Sequence, residues 1–237
     1  MNLNKLFVGL LIIGYMIYPL SIFAEEAKPP KVEEIPAPVK EDYEFVETFG
    51  SPDINTNHWK IIQTDNSLTE VKIVDGKLYC TSRGKNNNAG IETTKNFRSK
   101  EFTLEFDMYC ISEQGICFTA VSFPVHGSPD YWAVALLRKA EALQIFTLYQ
   151  GEGKYWGGPA PLSPDRWYHF IITNKPDNVT FKVIDLKEKA EVCDMTVEHD
   201  TVDTFQPIKF VAVTGEDKDS KESVLVQGVY FDNICWK

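Results

Sequence analysis

Apolar and polar residues alternate with a period of two along most of this chain. The clearest example is segment 102–109, in which Phe102, Leu104, Phe106 and Met108 alternate with Thr103, Glu105, Asp107 and Tyr109. Successive side chains of a β-strand point to opposite faces of its sheet. The pattern therefore predicts a strand with one face in a core and the other face in solvent.

Similar short runs continue from residue 43 to residue 236, and Gly, Pro, Asn and Asp separate them. This spacing predicts an antiparallel β-sandwich. The predicted strands are 43–48, 69–74, 77–81, 102–109, 116–123, 131–138, 143–150, 167–173, 179–185, 208–214 and 224–236. Asp75-Gly76 is the strongest hairpin signal, because it supplies the positive φ of a tight turn.

Three of these runs, 116–123, 131–138 and 143–150, are apolar on both faces, which is typical of central strands covered on both sides. Helical periodicity is confined to short stretches. We expect at most a single helical turn, near 163–166 or 187–190.

The first 42 residues have a different composition. Residues 1–24 combine one positive charge, an apolar run, Pro19 and a small final residue, Ala24, which is the pattern of a cleavable signal peptide. Residues 25–42 form an acidic Pro-rich linker, whose composition favours an extended spacer. Residues 43–237 form the predicted single domain. We expect an exported protein, secreted, periplasmic or on the cell surface, without membrane insertion after cleavage; an uncleaved signal that acts as an anchor is the alternative.

The net charge of −10 disfavours nucleic acid and anionic membranes as partners. The five cysteines allow two disulfides in an exported chain: Cys80, Cys110, Cys117, Cys193 and Cys235. We predict a Cys110–Cys117 disulfide, because the residues between them read as a turn that brings two strand ends together. In the alternative, all five are small buried apolar residues.

Three segments resemble a known superfamily. Val71–Tyr79 looks like the V-x-D-G-x-L hairpin near the start of many concanavalin A-like domains. Leu162–Thr173 resembles their W-Y-x-x-x-I-x strand, and Val179–Val183 matches the strand paired with it. Val229–Cys235 is similar to the F-D-N-I strand that ends many laminin-G-like modules. The resemblance implies an all-β fold: a single antiparallel jelly-roll β-sandwich of the concanavalin A-like lectin/glucanase superfamily, laminin-G-like in type.

The resemblance also implies a candidate metal ligand. In some members of the superfamily a carboxylate of the last strand binds calcium, and the matching residue here is Asp232. Calcium takes six to eight oxygen ligands, so one aspartate defines only part of a site. The alternative is that Asp232-Asn233 caps a strand end. No cofactor is required, and calcium is the one candidate. Trp167 and Phe170, in the second segment, are expected in the core.

Glu105-Phe-Asp107 resembles part of the catalytic strand of family 16 glycoside hydrolases, which carries Glu-x-Asp-x-Glu or Glu-x-Asp-x-x-Glu. The last glutamate of that motif is Tyr109 or Cys110 here. A retaining glycosidase needs two carboxyl groups across the scissile bond, so the sequence predicts no catalytic residues.

A looser resemblance links Trp59 and Val74–Leu78 to the 3-keto-disaccharide hydrolases, although the other segments of that family are only faintly matched. The histidines have no spacing that would place two of them on one metal ion. They are His58, His126, His169 and His199.

Aromatic residues close to a glycine-rich segment indicate a sugar site, because aromatic rings stack on the apolar faces of sugars. Segment 151–158 reads as a glycine-rich loop, a poor place to bury a large ring. Asn86–Asn88 reads as another loop that could add polar contacts. The predicted carbohydrate-binding residues are Trp132, Arg138, Tyr149, Tyr155 and Trp156. In the alternative, Trp132 and Tyr149 belong to the core and Trp156 covers it.

These patterns favour an exported, non-catalytic carbohydrate-binding or adhesive module whose partner is a poly- or oligosaccharide. One alternative is a secreted hydrolase similar to the 3-keto-disaccharide hydrolases or to family 16. The other is a structural or protein-interaction module of the cell surface.

Overall fold

The computed structural model describes residues 42–84, 87–95, 101–111, 117–124, 131–137, 142–149, 152–160, 162–163, 165–198, 207–214 and 226–237. These residues form fifteen β-strands: β1 Phe45–Glu47, β2 Trp59–Gln63, β3 Thr69–Val74, β4 Lys77–Arg83, β5 Asn87–Thr93, β6 Phe102–Cys110, β7 Cys117–Pro124, β8 Tyr131–Leu137, β9 Ala142–Tyr149, β10 Glu152–Ala160, β11 Trp167–Asn174, β12 Asn178–Asp185, β13 Ala190–Glu198, β14 Lys209–Thr214 and β15 Val226–Trp236.

The strands form two antiparallel sheets. Sheet A has the order β13-β12-β11-β6-β15-β4-β3, and β1 pairs with the end of β15. Sheet B has the order β10-β9-β8-β7-β14-β5-β2. The chain crosses between the sheets after β1, β2, β4, β5, β6, β10, β13 and β14, so many neighbours within a sheet are distant in sequence. This arrangement confirms the all-β jelly roll. The described residues contain no α-helix. In segment 187–190, where a helical turn was one expectation, residues 187–189 lie in a turn and Ala190 begins β13.

Aromatic rings fill the space between the sheets. Phe106 of β6 stacks on Phe170 of β11, with ring centroids 4.9 Å apart. Phe210 of β14 meets Phe106 edge-on at 5.4 Å and Phe231 of β15 at 5.3 Å. Each of these side chains is at most 1% exposed. Burial of such rings removes a large apolar area from water, which is the main stabilising contribution to a sandwich of this kind.

The apolar face of β6 packs in this core as predicted, but its other face is not exposed to solvent as expected. Asp107 is 0% exposed and Tyr109 is 6% exposed. Tyr109 belongs to a second buried cluster, on the outer face of sheet A, with Tyr79, Tyr230 and Trp167. The reason is register: β6 is a central strand, and β11 and β15 place Trp167 and Tyr230 directly beside Tyr109. Trp167 is therefore buried in the outer cluster, whereas Phe170 is in the core as expected.

The predicted Cys110–Cys117 disulfide is wrong. Cys110 ends β6 in sheet A and Cys117 begins β7 in sheet B, so these two strands belong to different layers and do not pair as a hairpin. Cys80, Cys110, Cys193 and Cys235 form no disulfide, and Cys80, Cys110 and Cys235 are buried. The alternative, small buried apolar residues, describes these three cysteines. In the described part of the chain, no helix is long and apolar enough to cross a membrane.

Candidate functional site

The acidic pair on β6 meets a histidine on the outer face of sheet A. Glu105 and Asp107 are two residues apart on the strand and so share this face. β11 pairs with β6 in a register that places His169 directly opposite Asp107. His169 Nδ1 lies 2.7 Å from Asp107 Oδ1, and His169 Nε2 lies 3.4 Å from Glu105 Oε2. The two carboxylates thus hold the imidazole at both nitrogens.

This geometry keeps the imidazole charged. Burial alone would lower the pKa of His169, but the hydrogen bonds and charges of Asp107 and Glu105 raise that pKa to about 9. Burial likewise acts to raise the pKa of Glu105, and the hydrogen bonds from His169 and Tyr43 overcome it, so the pKa of Glu105 is lowered. At neutral pH the cluster therefore contains an imidazolium between two carboxylates.

A bulge in β15 supplies the remaining partner of Asp107. The register of β15 against β6 shifts between Asp232 and Cys235, and Asn233 adopts a left-handed conformation with φ 49°. Asparagine tolerates this conformation better than most residues. The amide Nδ2 of Asn233 donates to Asp107 Oδ2 at 2.6 Å. Both oxygens of this buried carboxylate are thereby hydrogen-bonded, as a buried charge requires.

The cluster extends to both ends of the domain. The Tyr43 hydroxyl is hydrogen-bonded to Glu105, and burial together with this carboxylate raises the pKa of Tyr43. The Lys237 ammonium lies 4.7 Å from the centre of the Tyr43 ring, within the range of a cation–π contact. Residues that precede β1 and follow β15 are thus tied to the centre of sheet A.

The predicted calcium ligand has another cation beside it. Asp232 Oδ2 lies 3.0 Å from Lys77 Nζ, and Asp232 Oδ1 accepts the Asn233 backbone N–H at 2.8 Å. Burial raises the pKa of Asp232 despite this ammonium. Within the described residues, no group of three or more His, Cys, Asp or Glu side chains could hold a metal ion. The surroundings of Asp232 fit an ammonium better than calcium, and calcium binding stays a prediction.

Glu105, Asp107 and His169, which we call the acid–histidine cluster, are arranged to hold strands together. A protonated imidazole donates from both nitrogens, so His169 has no lone pair with which to accept a proton as a general base. Glu105 and Asp107 are both bonded to this one cation, and the motif lacks a further carboxyl group on β6. The cluster is therefore suited to hold β6, β11 and β15 in register.

The predicted carbohydrate-binding residues lie on three strands of sheet B, and one expectation about them is wrong. Residues 152–160 form β10, not a loop, and β10 pairs with β9 so that Tyr155 is opposite Phe146 and Trp156 is opposite Ile145. Trp132 is on β8 and Tyr149 is on β9. Arg138 lies outside the described residues.

The register separates the predicted residues onto the two faces of sheet B. Trp156 stands in a row with Ile145, Val134, Val121 and Phe210. Since Val121 and Phe210 belong to the core, this row is on the core-facing side. Alternation along β8 and β9 puts Trp132 and Tyr149 on that side too. Tyr155 is on the opposite, outer face, and sugar binding by any of these residues stays a prediction.

The outer face of sheet B carries a row that crosses all seven strands, which we call the cross-strand row. Its members, in sheet order, are Lys60, Glu92, Lys209, Ser122, Ala133, Phe146 and Tyr155. Aromatic positions stand at one end of the row, small residues in the middle and charged residues at the other end. Asn88, predicted in a loop, is instead on β5 and on this same outer face.

Sequence reasoning did not single out Lys60, Glu92 or Lys209, and it treated His169 as an ordinary residue. These residues lie far apart in the chain, so only the strand register brings them together. The one available signal was alternation: Glu92 and Lys209 each adjoin a strongly apolar residue, Ile91 and Phe210.

No protein-family model matches the chain, and no curated protein is similar to it in sequence. Solved structures are similar in fold. A structure described with endo-acting O-glycanases of the human gut microbiota has a TM-score of 0.61 at 14% identity and covers 82% of this chain and 98% of its own. A Bacillus licheniformis β-glucanase has a TM-score of 0.58 at 15% identity, with 81% and 97% covered. The carbohydrate-binding module CBM66 from Bacillus subtilis has a TM-score of 0.50 at 15% identity, with 77% and 97% covered.

The fold is that of the concanavalin A-like lectins and glucanases. At 9 to 15% identity this likeness concerns the fold alone, because unrelated activities share such scaffolds. Within this concanavalin A-like domain, the acid–histidine cluster lies on the outer face of sheet A and the cross-strand row lies on the outer face of sheet B. The two sites are therefore on opposite sides of the sandwich.

Proposed function

We propose that the domain is an exported carbohydrate-binding module that holds a poly- or oligosaccharide without cleaving it. The observation that carries the proposal is the cross-strand row on the outer face of sheet B. Tyr155 and Phe146 occupy adjacent aromatic positions on a face that does not pack on the core. Aromatic positions on a sheet face turned away from the core favour stacking with sugar rings.

The middle of the row supports this proposal. Ser122 and Ala133 are small, and the adjacent row on the same face contains Ala120 and Ala135. Small residues on central strands favour a groove between the aromatic and charged ends. From Tyr155 to Lys209 the row spans four strand spacings, about 19 Å, which is long enough for a short oligosaccharide.

The fold also supports a carbohydrate ligand, since a carbohydrate-binding module and two glycan-cleaving proteins have similar structures. The absence of turnover is supported by the acid–histidine cluster. Glu105 and Asp107, the two carboxylates that resemble part of the family 16 motif, are both bonded to His169.

The test is binding of the protein to immobilised and soluble polysaccharides, with and without calcium, together with an assay for new reducing ends. We expect a glycan to raise the thermal midpoint, because a ligand that prefers the folded state stabilises it.

Tyr155→Ala should weaken binding by about 1–3 kcal/mol, the usual loss for an aromatic platform, and leave the midpoint of the free protein unchanged. Trp156→Ala, on the core-facing side, should lower that midpoint instead. No glycan-induced shift for any polysaccharide would refute the proposal.

A secreted glycan hydrolase is the second candidate, because two of the similar structures are a glucanase and a protein described with O-glycanases. Release of reducing ends that Glu105→Gln abolishes would establish this function in place of binding. Release that persists in Glu105→Gln would place catalysis elsewhere in the domain.

A further inference from the structure

The charged end of the cross-strand row contains two lysines and one glutamate. Glu92 of β5 stands between Lys60 of β2 and Lys209 of β14, which are its cross-strand neighbours. Lys60 Nζ is 2.7 Å from Glu92 Oε1, and Lys209 Nζ is 3.6 Å from Glu92 Oε2. Two ammonium groups share one carboxylate, so this lysine–glutamate triad has a net charge of +1.

The two lysines have hydrogen-bonding capacity left over. The Lys60 side chain is 71% exposed and that of Lys209 is 39% exposed, whereas that of Glu92 is only 14% exposed. Each ammonium carries three N–H donors. Among the described residues, Lys60 and Lys209 form ion pairs with Glu92 and with no other carboxylate. The remaining N–H groups are therefore available to a ligand on this face.

The same strand carries an unsatisfied acceptor. Asn88, Gly90 and Glu92 alternate onto the outer face of β5. The Asn88 side-chain Oδ1 is buried and has no hydrogen-bond partner in the described part of the chain. Buried acceptors without partners are uncommon in folded proteins, and a bound water or ligand hydroxyl is a usual explanation. Gly90 has no side chain, and the Val211 side chain of β14 lies beside it on this face.

We infer that the triad recognises an anionic substituent, a carboxylate or a sulfate, on the glycan that the outer face of sheet B binds. This inference rests on the proposed function and specifies its substrate class. The sugar rings stack at the Tyr155 end, and the acidic group of the same chain reaches Lys60 and Lys209. The Glu92 carboxylate holds the two ammonium groups together, which would otherwise repel each other.

The charge of the whole protein limits how acidic this glycan is. A net charge of −10 repels a densely charged polyanion over distances of several ångströms. The local charge of +1 can pair with one acidic group. The ligand is therefore a largely neutral glycan with isolated acidic groups along its chain.

The experiment compares glycans that differ only in their acidic groups. Glucuronoxylan is titrated by calorimetry beside the same polymer after chemical reduction of its carboxyl groups. A sparsely sulfated galactan is titrated beside its desulfated form, which separates sulfate from carboxylate as the recognised group. We expect the acidic member of at least one pair to bind more tightly, by about two- to fivefold for each lysine that it meets, with an advantage that falls as salt is added.

Neutral variants of the lysines connect this preference to the triad. Lys60→Met and Lys209→Met should reduce affinity for the acidic member by more than they reduce affinity for its neutral counterpart. The matched control is Lys182→Met, which removes a lysine paired with Glu191 on the outer face of sheet A. This control should leave both affinities unchanged.

Two kinds of failure are distinguishable. Equal affinity for acidic and neutral members, or an acidic preference that survives both lysine substitutions, overturns the role of the triad and leaves the proposed function intact. Failure of every glycan to bind overturns the proposed function and this inference together.

Discussion

His169 on β11 lies directly opposite Asp107 on β6, and its Nδ1 is 2.7 Å from Oδ1 of a side chain that is only 1% exposed. A carboxylate at such depth is unstable unless it is paired and hydrogen-bonded. His169 supplies the charge and Asn233 supplies the second hydrogen bond. One face of sheet A therefore depends on residues from three strands that are remote in sequence.

This pairing predicts a loss of stability at alkaline pH. The pKa of His169 is raised from 6.5 to about 9 in the folded protein, so the contribution is complete below pH 6.5 and is lost as the pH rises through 9. A shift of this size corresponds to roughly 3 kcal/mol at most. Urea unfolding of wild type and His169→Gln at pH 6 and pH 10 measures it. Wild type should lose roughly 2–3 kcal/mol more than the variant; equal losses would contradict the charged pairing.

Removal of the buried Asp107 carboxylate should lower the free energy of unfolding by more than the burial of this side chain alone suggests. Asp107→Ala leaves the imidazolium of His169 and the amide of Asn233 without their partner, and breaking a buried pair in this way costs about 3–5 kcal/mol. The control is Asp194→Ala, an exposed aspartate of sheet A, which should change stability by less than about 0.5 kcal/mol. Urea unfolding of both variants measures these changes. A loss of less than about 1 kcal/mol of unfolding free energy for Asp107→Ala would show that the cluster is not structurally important.

Gly90 is required by the close approach of β5 to β14. A Cβ atom at this position would lie 2.0 Å from the Phe210 carbonyl oxygen and 2.7 Å from Val211 Cγ1. Gly90→Ala must therefore displace backbone, and we expect a loss of roughly 2 kcal/mol or more. Gly50→Ala is the matched control, because the nearest atom to its added Cβ is 3.9 Å away. Similar thermal midpoints for the two variants would rule out this close approach.

The strands predicted correctly are those whose own sequences alternate between apolar and polar residues or end in a recognisable turn. The β3–β4 hairpin was predicted with its turn, and Asp75 and Gly76 have φ 49° and 73°. In contrast, β5 begins Asn-Asn-Ala-Gly, a sequence with low β-propensity, and it is a strand because β14 and β2 pair with it on both sides. The glycine-rich β10 is likewise a strand through its pairing with β9.

The sites divide in the same manner. Alternation alone placed Glu105 and Asp107 on one face of β6, and it was correct. The side chain that completes their cluster, His169, is 62 residues from Asp107 in sequence, and its partnership depends on the register between two strands. Lys60 and Glu92 are similarly joined only by the pairing of β2 with β5. Periodicity contains no information on such pairing.

The cysteines that form no disulfide give the last prediction. Cys80 and Cys235 are buried, and burial raises the pKa of both, that of Cys235 to about 12, so neither forms a thiolate readily in the folded protein. Cys193 on β13 is partly exposed, and because burial raises its pKa, its alkylation should be slow at neutral pH and faster at alkaline pH, where the thiolate forms. Iodoacetamide labelling followed by peptide mass mapping should therefore modify Cys193 first, and Cys80, Cys110 and Cys235 only after unfolding in guanidinium. A non-reduced digest that contains Cys110 joined to Cys117 would overturn the finding that Cys110 is in no disulfide.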